Sequence, residues 1–393
     1  MTRKLRIGLV SSGSGSRGGG EIYLRFLAEG LAGAGHEVTA LVPDGAQMDE
    51  LATQLADRAS VTRYPHKPTY DRRFRSLGAA VDVGHQRRLK TILADCGVDV
   101  LHINQQVAED ALDLVIAAAA TGLPWVSTIH VGHGARALGA HLGAVRDRIT
   151  RAILDRHAGA IISVSAASRR QLERRFTARV HTVLNGVPSP TTEALAKARQ
   201  AARRDWGAGP DSICVGTVGR IAAQKNPDAF LRHLGAVAGR FPGLTAVWIG
   251  DGAERDALVS QQRVTFPMLA LKIDGWRQDA ATRMAGLDVY VLSSVFEGLP
   301  LALLEAMHAG LPIIANDIDG VSEVITDGET GFVCRSDDDW HNALTTVLGN
   351  PTLRRDMGRA ARTAAATRLS ADAMAAQTLA VYQDVIDRKA ARQ

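Results

Sequence analysis

The stretch Val289-Tyr290-Val291-Leu292-Ser293-Ser294-Val295-Phe296-Glu297-Gly298-Leu299-Pro300-Leu301-Ala302-Leu303-Leu304-Glu305-Ala306-Met307-His308-Ala309-Gly310 decides how this chain folds. Its first four residues are apolar and partly β-branched, the composition of a parallel strand buried on both faces. Pro300 suits the first position of a helix, where its missing N–H costs nothing. Gly310, followed by Pro312, is a helix stop. The reading is strand, turn, helix, with the helix N-terminus opening beside the carboxyl end of the strand. In open α/β sheets that is where ligands bind.

Two carboxylates bracket the turn, Glu297 before it and Glu305 inside the helix. Glu305 lies roughly 7–8 Å along the helix axis from Pro300. Free amides at the helix start favour an anion, and a carboxylate one turn away can accept hydrogen bonds from a sugar diol. A sugar nucleotide carries both phosphate and diol. The same spacing also fits an amphipathic core helix with two solvated glutamates, so the remaining sequence has to decide.

Outward from this stretch the chain alternates between strand and helix patterns. Residues 5–10 read as a strand, followed by a Gly/Ser loop, a helix over about 21–34 and a strand over 38–42. Further strand-like runs lie at 98–103, 124–129, 160–164 and 179–184, with helical periods at 82–96, 108–121 and 142–157. A polar, Ala/Arg-rich segment at 191–205 leads into a second alternation. Its strands are expected at 213–218, 244–249, 269–273, 289–292, 312–315 and 331–333. Its helices are expected at 227–241, 254–262, 279–285, 300–308, 322–326 and 338–348, and residues 351–389 read as one long helical pattern. The class is therefore α/β: two doubly wound domains which, facing one another, would leave a cleft between their strand ends.

Composition agrees with a soluble globular chain: 393 residues, 46% apolar and 22% charged. Cys96, Cys214 and Cys334 are odd in number and far apart, so they imply neither a disulfide framework nor a metal knuckle, and they fit a reducing cytoplasm. The apolar run at 7–10 is too short for a signal peptide, and that at 114–129 is broken by Gly122 and Pro124 before it reaches the length of a membrane span. Net charge is +5, divided as +7 over residues 1–190 and −2 over 191–393, with basic clusters at 63–90 and 146–179. A basic half attracts anionic lipid, nucleic acid or an acidic substrate, although a solvated surface is the plainer account. Few aromatics interleave with these cations, which sets nucleic acid aside as a partner.

Four glycine-bearing junctions accompany the opening turn. Gly13-Ser14-Gly15-Ser16-Arg17-Gly18 matches G-x-G-x-x-G, with Asp44 near the end of the next strand. The glycines run on through Gly19 and Gly20, which places the helix start too late for a dinucleotide fingerprint. A glycine loop whose backbone approaches a ligand phosphate closely is the better reading. Gly219-Arg220-Ile221-Ala222-Ala223-Gln224-Lys225-Asn226-Pro227 joins a strand to a helix and carries two cations that can meet one pyrophosphate, Arg220 bidentately and Lys225 as a point charge. Gly250-Asp251-Gly252 is the third junction, where Asp251 could equally cap a helix. Gly275-Trp276-Arg277 is the fourth, where a nucleobase could lie against backbone and Arg277.

Together these residues resemble the C-terminal domain of the GT-B retaining glycosyltransferases of family GT4, the glycosyl transferases group 1 type. The matching residues are Val218-Gly219-Arg220 with Lys225-Asn226, Gly250-Asp251-Gly252, Ser294 with Glu297-Gly298-Leu299-Pro300, and the E-x7-E pair Glu297 and Glu305. Gly310-Leu311-Pro312 and Gly328-Glu329-Thr330-Gly331-Phe332 extend the match. In the first half Gly18-Gly19-Gly20-Glu21, Thr128-Ile129-His130 and Asn185-Gly186-Val187 look like the family's glycine loop, active-site histidine segment and domain end. Asp319-Gly320-Val321-Ser322-Glu323 departs from the paired glycines and proline more usual there.

The resemblance implies a GT-B fold, two Rossmann-like domains facing across a cleft: an acceptor domain at 1–190, a donor domain at 191–370 and a helix at 371–393 crossing back to the first. It implies transfer of a sugar from a nucleotide-diphospho-sugar, UDP ahead of GDP, to a hydroxyl acceptor that is a glycan, a lipid-linked group or a small molecule. Arg220 and Lys225 would hold the diphosphate, Glu305 the ribose, and Glu297 the transferred sugar. Gly298, Leu299, Pro300 and Leu301 would complete the donor contacts with Gly250, Asp251 and Arg277, while Gly18, Gly19 and His130 would reach in from the first domain. No cofactor is expected beyond the nucleotide-sugar co-substrate. No metal is expected either, although Asp317-Ile318-Asp319 spells D-x-D. The expected location is cytoplasmic, with peripheral contact between the basic half and the anionic inner face of the cell membrane. A GT-B epimerase, a non-catalytic sugar-nucleotide binder and a membrane-surface scaffold are the alternatives.

Overall fold

Short runs of apolar, often β-branched residues build two parallel sheets, and the turns that follow them carry the polar chemistry. The computed structural model describes residues 3–13, 15, 18–157 and 159–391. Ser14, Ser16 and Arg17 of the glycine motif lie outside the described residues. The chain divides into two units, Met1–Gly186 with Ala371–Gln393, and Val187–Ser370.

The first unit contains β1 (Arg6–Ser11), β2 (Glu37–Pro43), β3 (Ser60–Tyr64), β4 (Val100–Val107), β5 (Trp125–Val131), β6 (Ile161–Ser163) and β7 (Val180–Thr182), in the order β3-β2-β1-β4-β5-β6-β7. Every pairing is parallel, with Ile7 opposite Val38 on one side and Val100 on the other. The order reverses between β1 and β4, the switch point at which a doubly wound sheet opens a crevice. The terminal helix Ala371–Ala390 belongs to this unit, and its Tyr382 hydroxyl lies 2.6 Å from His102 Nδ1 on β4.

The second unit contains β8 (Ile213–Val218), β9 (Leu244–Ile249), β10 (Ala270–Gly275), β11 (Val289–Leu292), β12 (Ile313–Asn316) and β13 (Gly331–Cys334), ordered β10-β9-β8-β11-β12-β13 and all parallel. Its switch point lies between β8 and β11. All four residues of β11 are buried, as a strand covered on both faces requires. The core is built around Trp248 and Phe230, whose rings meet edge-on at 5.0 Å.

Several sequence expectations shift. The helix after the glycine loop is Gly19–Gly33, with Gly18 as its N-cap, and so starts earlier than expected. Pro300 is the N-cap of the helix Leu301–His308, with ψ 124°, and so stands one position before the expected start. The segment at 191–205 is a helix, Thr192–Trp206: Thr191 caps it, and Leu195, Ala202 and Trp206 bury its apolar stripe. Residues 322–324 form a turn and 325–326 are irregular, in place of the expected helix. The tail is two helices, Pro351–Arg368 and Ala371–Ala390, with Leu369 and Ser370 between them. Edge strand β3 and the helices Asp49–Ala56, Arg75–Val81 and Ala166–Arg175 have no counterpart in the sequence expectation. Among the described residues no helix is long and apolar enough to cross a membrane.

Candidate active site

Three loops meet at the carboxyl ends of β8, β9 and β11, on the switch point of the second unit. Close backbone approach fixes the first two. Gly250 has φ +146°, and a Cβ there would stand 2.0 Å from the Gly219 carbonyl oxygen. Only glycine allows that approach. Ile221 N–H then donates to the Asp251 carbonyl (3.0 Å), and the Trp248 indole donates to the Gly219 carbonyl (2.9 Å).

The β8 and β11 loops are joined more extensively. Val295 N–H donates to the Gln224 carbonyl (2.9 Å), and the Gln224 amide donates to the Phe296 carbonyl (3.1 Å). The Ser293 hydroxyl lies within hydrogen-bond reach of the Lys225 and Asn226 carbonyls, at 3.0 and 3.2 Å. From the other side, Asn316 donates to the Ser293 and Ser294 carbonyls (2.9 and 3.1 Å) and is itself held by the Trp340 indole (2.8 Å). Gly320, at φ +79°, packs so closely that a Cβ would fall 2.0 Å from the Gly298 carbonyl oxygen. The turn at 293–300 is thus pinned from both sides before any ligand arrives.

At its centre Lys225 Nζ donates to Glu297 Oε1 at 2.6 Å, with side-chain exposures of 16% and 11%. The structure brings these two predicted residues together as an ion pair. An ammonium has three donors, so Lys225 can hold Glu297 and still present hydrogens to an anion. Arg220 is exposed, and among the described residues no carboxylate pairs with its guanidinium. Glu305 is half-buried on the helix Leu301–His308. Burial raises the Tyr290 phenol, and Glu297 and Glu305 both add to that rise, which places both carboxylates near one ring under the turn. Gly298, Leu299, Pro300 and Leu301 are all buried.

Other expected donor residues are engaged locally. Asp251 accepts from Gly252 N–H (2.8 Å) and pairs with Arg255 (2.9 Å). Arg277 pairs with Asp279 at 3.0 Å, and that hydrogen bond is the leading reason its affinity for protons rises. In the D-x-D segment Asp317 pairs with Arg335 at 2.8 Å.

In the first unit His130 stands near the end of β5 and is buried, with Nε2 2.8 Å from Asn104 Oδ1 and the Tyr23 ring edge-on at 4.7 Å. Asn104 in turn donates to the Gly20 carbonyl at 3.0 Å, which ties the histidine to the start of the helix behind the glycine loop. Gly18 caps that helix, and both Gly18 and Gly19 are exposed. Burial pushes the His130 imidazole down to about 4, so it is neutral at pH 7. Sequence reasoning missed Asn104 and Tyr23. The available signal was a set of polar residues, His102, Asn104 and Gln105, inside an otherwise apolar central strand, all of them buried.

Burial also lowers His102 to about 3 and His233 to about 4. For such groups the unfolded chain binds more protons between the lowered value and the ordinary 6.5, so their contribution to stability is lost as pH falls through that window. Asp110 and Asp113, raised by burial to about 6, act oppositely between 3.8 and 6. The slope of unfolding temperature against pH between 6.5 and 4 should therefore become less acid-sensitive in His102→Gln, as followed by circular dichroism; an unchanged slope would deny His102 that role.

Comparison with known proteins gives the family and the fold. The family described as Glycosyl transferases group 1 matches residues 198–364, and Glycosyltransferase Family 4 matches residues 17–189. The chain is 28% identical over 390 residues to a glycogen synthase of Mycobacterium tuberculosis, covering 92% of this chain and 89% of the other. It is 28% identical over 408 residues to a D-inositol 3-phosphate glycosyltransferase of Pseudarthrobacter chlorophenolicus, covering 96% and 92%. Its fold is shared with the Anabaena protein HepE, solved with UDP and glucose, at a TM-score of 0.76 and 21% identity over 96% of this chain and 99% of that one. With both halves matched in order and two GT-B units described, the chain belongs to the family 4 glycosyltransferases of the group 1 type and is a transferase.

Proposed function

We propose that the chain moves a sugar from a nucleotide-diphospho-sugar, UDP ahead of GDP, to a hydroxyl acceptor, with retention of configuration and with no metal at the diphosphate. The observation that carries this reading is the Lys225–Glu297 pair at the switch point of the second unit, with Arg220 on the same loop as Lys225 and paired to no carboxylate among the described residues. Breaking a glycosyl–phosphate bond builds negative charge on the leaving diphosphate and positive charge on the sugar. Arg220, Lys225 and the amides of the pinned turn are preorganised for the negative charge, which removes the need for a cation. Glu297 is oriented by Lys225 to accept from hydroxyls of the transferred sugar, and Glu305 accepts from the ribose. Asp251 and Arg277 contribute to the donor site after exchanging their local partners. Within the first unit, Gly18, Gly19 and the neutral His130 are the residues assigned to the reaction. Attack by the acceptor hydroxyl on the face the phosphate leaves gives retention. The relative solved with UDP and glucose, and those named for glycosyl transfer, support this donor class.

Transfer assays with UDP- and GDP-sugars against a panel of hydroxyl acceptors, read by nuclear magnetic resonance, test the proposal. The anomeric configuration of the donor should persist in the product, and Asp317→Asn should turn over at the wild-type rate. An inverted product contradicts the mechanism, and an inactive Asp317→Asn that remains folded contradicts the metal-free diphosphate.

The same proposal places a peripheral membrane contact on the first unit. Phe74 (65% exposed) and Val81 (76%) on one helical segment, and Leu142 (55%) and Val145 (49%) on another, are apolar side chains in water. The two segments are adjacent, since the Arg146 guanidinium reaches Ser76 Oγ at 3.3 Å. In sequence Arg73 and Arg75 flank Phe74, and Arg136 and Arg148 flank Leu142 and Val145, the combination of cations and apolar side chains that binds anionic interfaces. Phe74→Ser with Leu142→Ser should reduce sedimentation with phosphatidylglycerol vesicles at low salt; unchanged sedimentation, or none in the wild type, would remove the contact.

A further inference from the structure

We propose that His66, His85 and Asp113 form a binding site for a divalent transition-metal ion of the zinc type, separate from the donor machinery. Three elements supply the ligands. His66 follows β3, His85 is in the first turn of the helix Val83–Asp95, and Asp113 is in the first turn of the helix Leu112–Thr121. His66 Nδ1 lies 3.9 Å and His85 Nε2 lies 3.6 Å from Asp113 Oδ2, and the three ligand atoms fall within 4.8 Å of one another. Ligands bound at about 2.0–2.1 Å in a tetrahedron stand roughly 3.3–3.5 Å apart. The cluster is therefore at most about 1.5 Å from coordination distances, within the reach of imidazole rotation.

A chemical need accompanies the geometry. The His66 side chain is 0% exposed, yet neither of its ring nitrogens has a hydrogen-bond partner, and His85 Nε2 has none either. Buried nitrogens are seldom left so, because each loses its water without return. The rings lie nearly parallel, 5.8 Å apart, with their lone pairs available.

Asp113 has structural partners: Arg72 Nη2 at 2.6 Å on Oδ2 and Leu114 N–H at 2.9 Å on Oδ1. These account for the carboxylate but leave the histidines unexplained. With an ion bound, Arg72 becomes the outer hydrogen-bond partner that orients a ligating carboxylate. Arg72 is also held by Asp82 (3.1 Å) and the Lys67 carbonyl (3.0 Å). The buried Asp110, felt by Tyr64 together with Asp113, adds negative charge nearby, so cation and carboxylates balance. Two imidazoles and one carboxylate with no thiolate suit zinc, with water completing the shell. His85, 17% exposed, is the side from which an ion enters. The ion would clip the segment between β3 and the helix Val83–Asp95 onto the helix Leu112–Thr121.

The test uses the full chain stripped by a chelator and titrated with Co²⁺, whose visible spectrum reports a low-coordinate nitrogen and oxygen shell. The wild type should bind one equivalent, Zn²⁺ should displace it, and Zn²⁺ should raise the unfolding temperature. His85→Gln, on the partly exposed member, should weaken binding by more than about 100-fold, beyond the loss expected from an outer partner alone. His341→Gln, in the other unit, should bind as the wild type does. If His66→Gln or Asp113→Asn fails to fold, the wild-type and His85→Gln titrations still decide. Absence of a saturable one-equivalent spectrum in the wild type, or undiminished affinity in His85→Gln, overturns the site.

Discussion

Replacing Arg220 and Lys225 together by alanine should abolish donor turnover, by roughly 10⁴-fold or more if each cation contributes like a single transition-state donor, about 10²–10³. The two positions should differ in what else they do. Arg220 is exposed and unpaired among the described residues, so Arg220→Ala should leave the unfolding temperature unchanged. Lys225 holds Glu297 at 2.6 Å in a largely buried pair, so Lys225→Ala strands a carboxylate and should also cost on the order of 1–3 kcal/mol of stability. Single-turnover rates and thermal melts on both single variants and the double variant check this. A folded double variant with near wild-type turnover would remove the phosphate clamp.

Glu305→Ala should weaken binding of the nucleoside diphosphate itself by about 1–3 kcal/mol, roughly 5- to 150-fold, through lost charge-assisted hydrogen bonds to the ribose. The half-buried site on a short helix allows truncation without opening a core cavity. Glu297→Gln should behave differently: near wild-type affinity for the nucleoside diphosphate but slower sugar transfer, because its partner is the sugar and its ion pair positions Lys225. If both substitutions weaken the nucleoside diphosphate equally, the division of roles between the two carboxylates fails.

Much of the second unit was readable along the chain. The sequence of β11, turn and helix carries local signals, an apolar run, a proline and a terminating glycine, and the structure moves only Pro300 by one position. What stayed hidden depends on partners distant in sequence. The Lys225–Glu297 pair joins loops after β8 and β11, and nothing in either loop names the other. His130 was visible as a strand-end histidine, whereas its tether through Asn104 to Gly20 spans three elements. Residues 49–81 were unreadable for another reason. Strand β3 is a short edge strand with partly exposed faces, and its flanking helices are too brief for a clear period. The helix Thr192–Trp206 read only as a polar, Ala/Arg-rich segment because its buried stripe is just Leu195, Ala202 and Trp206 among arginines and alanines. The cluster of His66, His85 and Asp113 is the same lesson in the first unit: ordinary residues that only the fold brings together.

In the proposed function the second unit binds a nucleotide-sugar through its switch-point turn. Equilibrium titration of the wild-type chain and Glu305→Ala with UDP, GDP and ADP and their glucose conjugates tests it most directly. Saturable binding of at least one of these to the wild type is expected, uridine ligands foremost, with weaker binding of the same ligand by a folded Glu305→Ala. No binding by the wild type, or equal affinity in the two proteins, would contradict it.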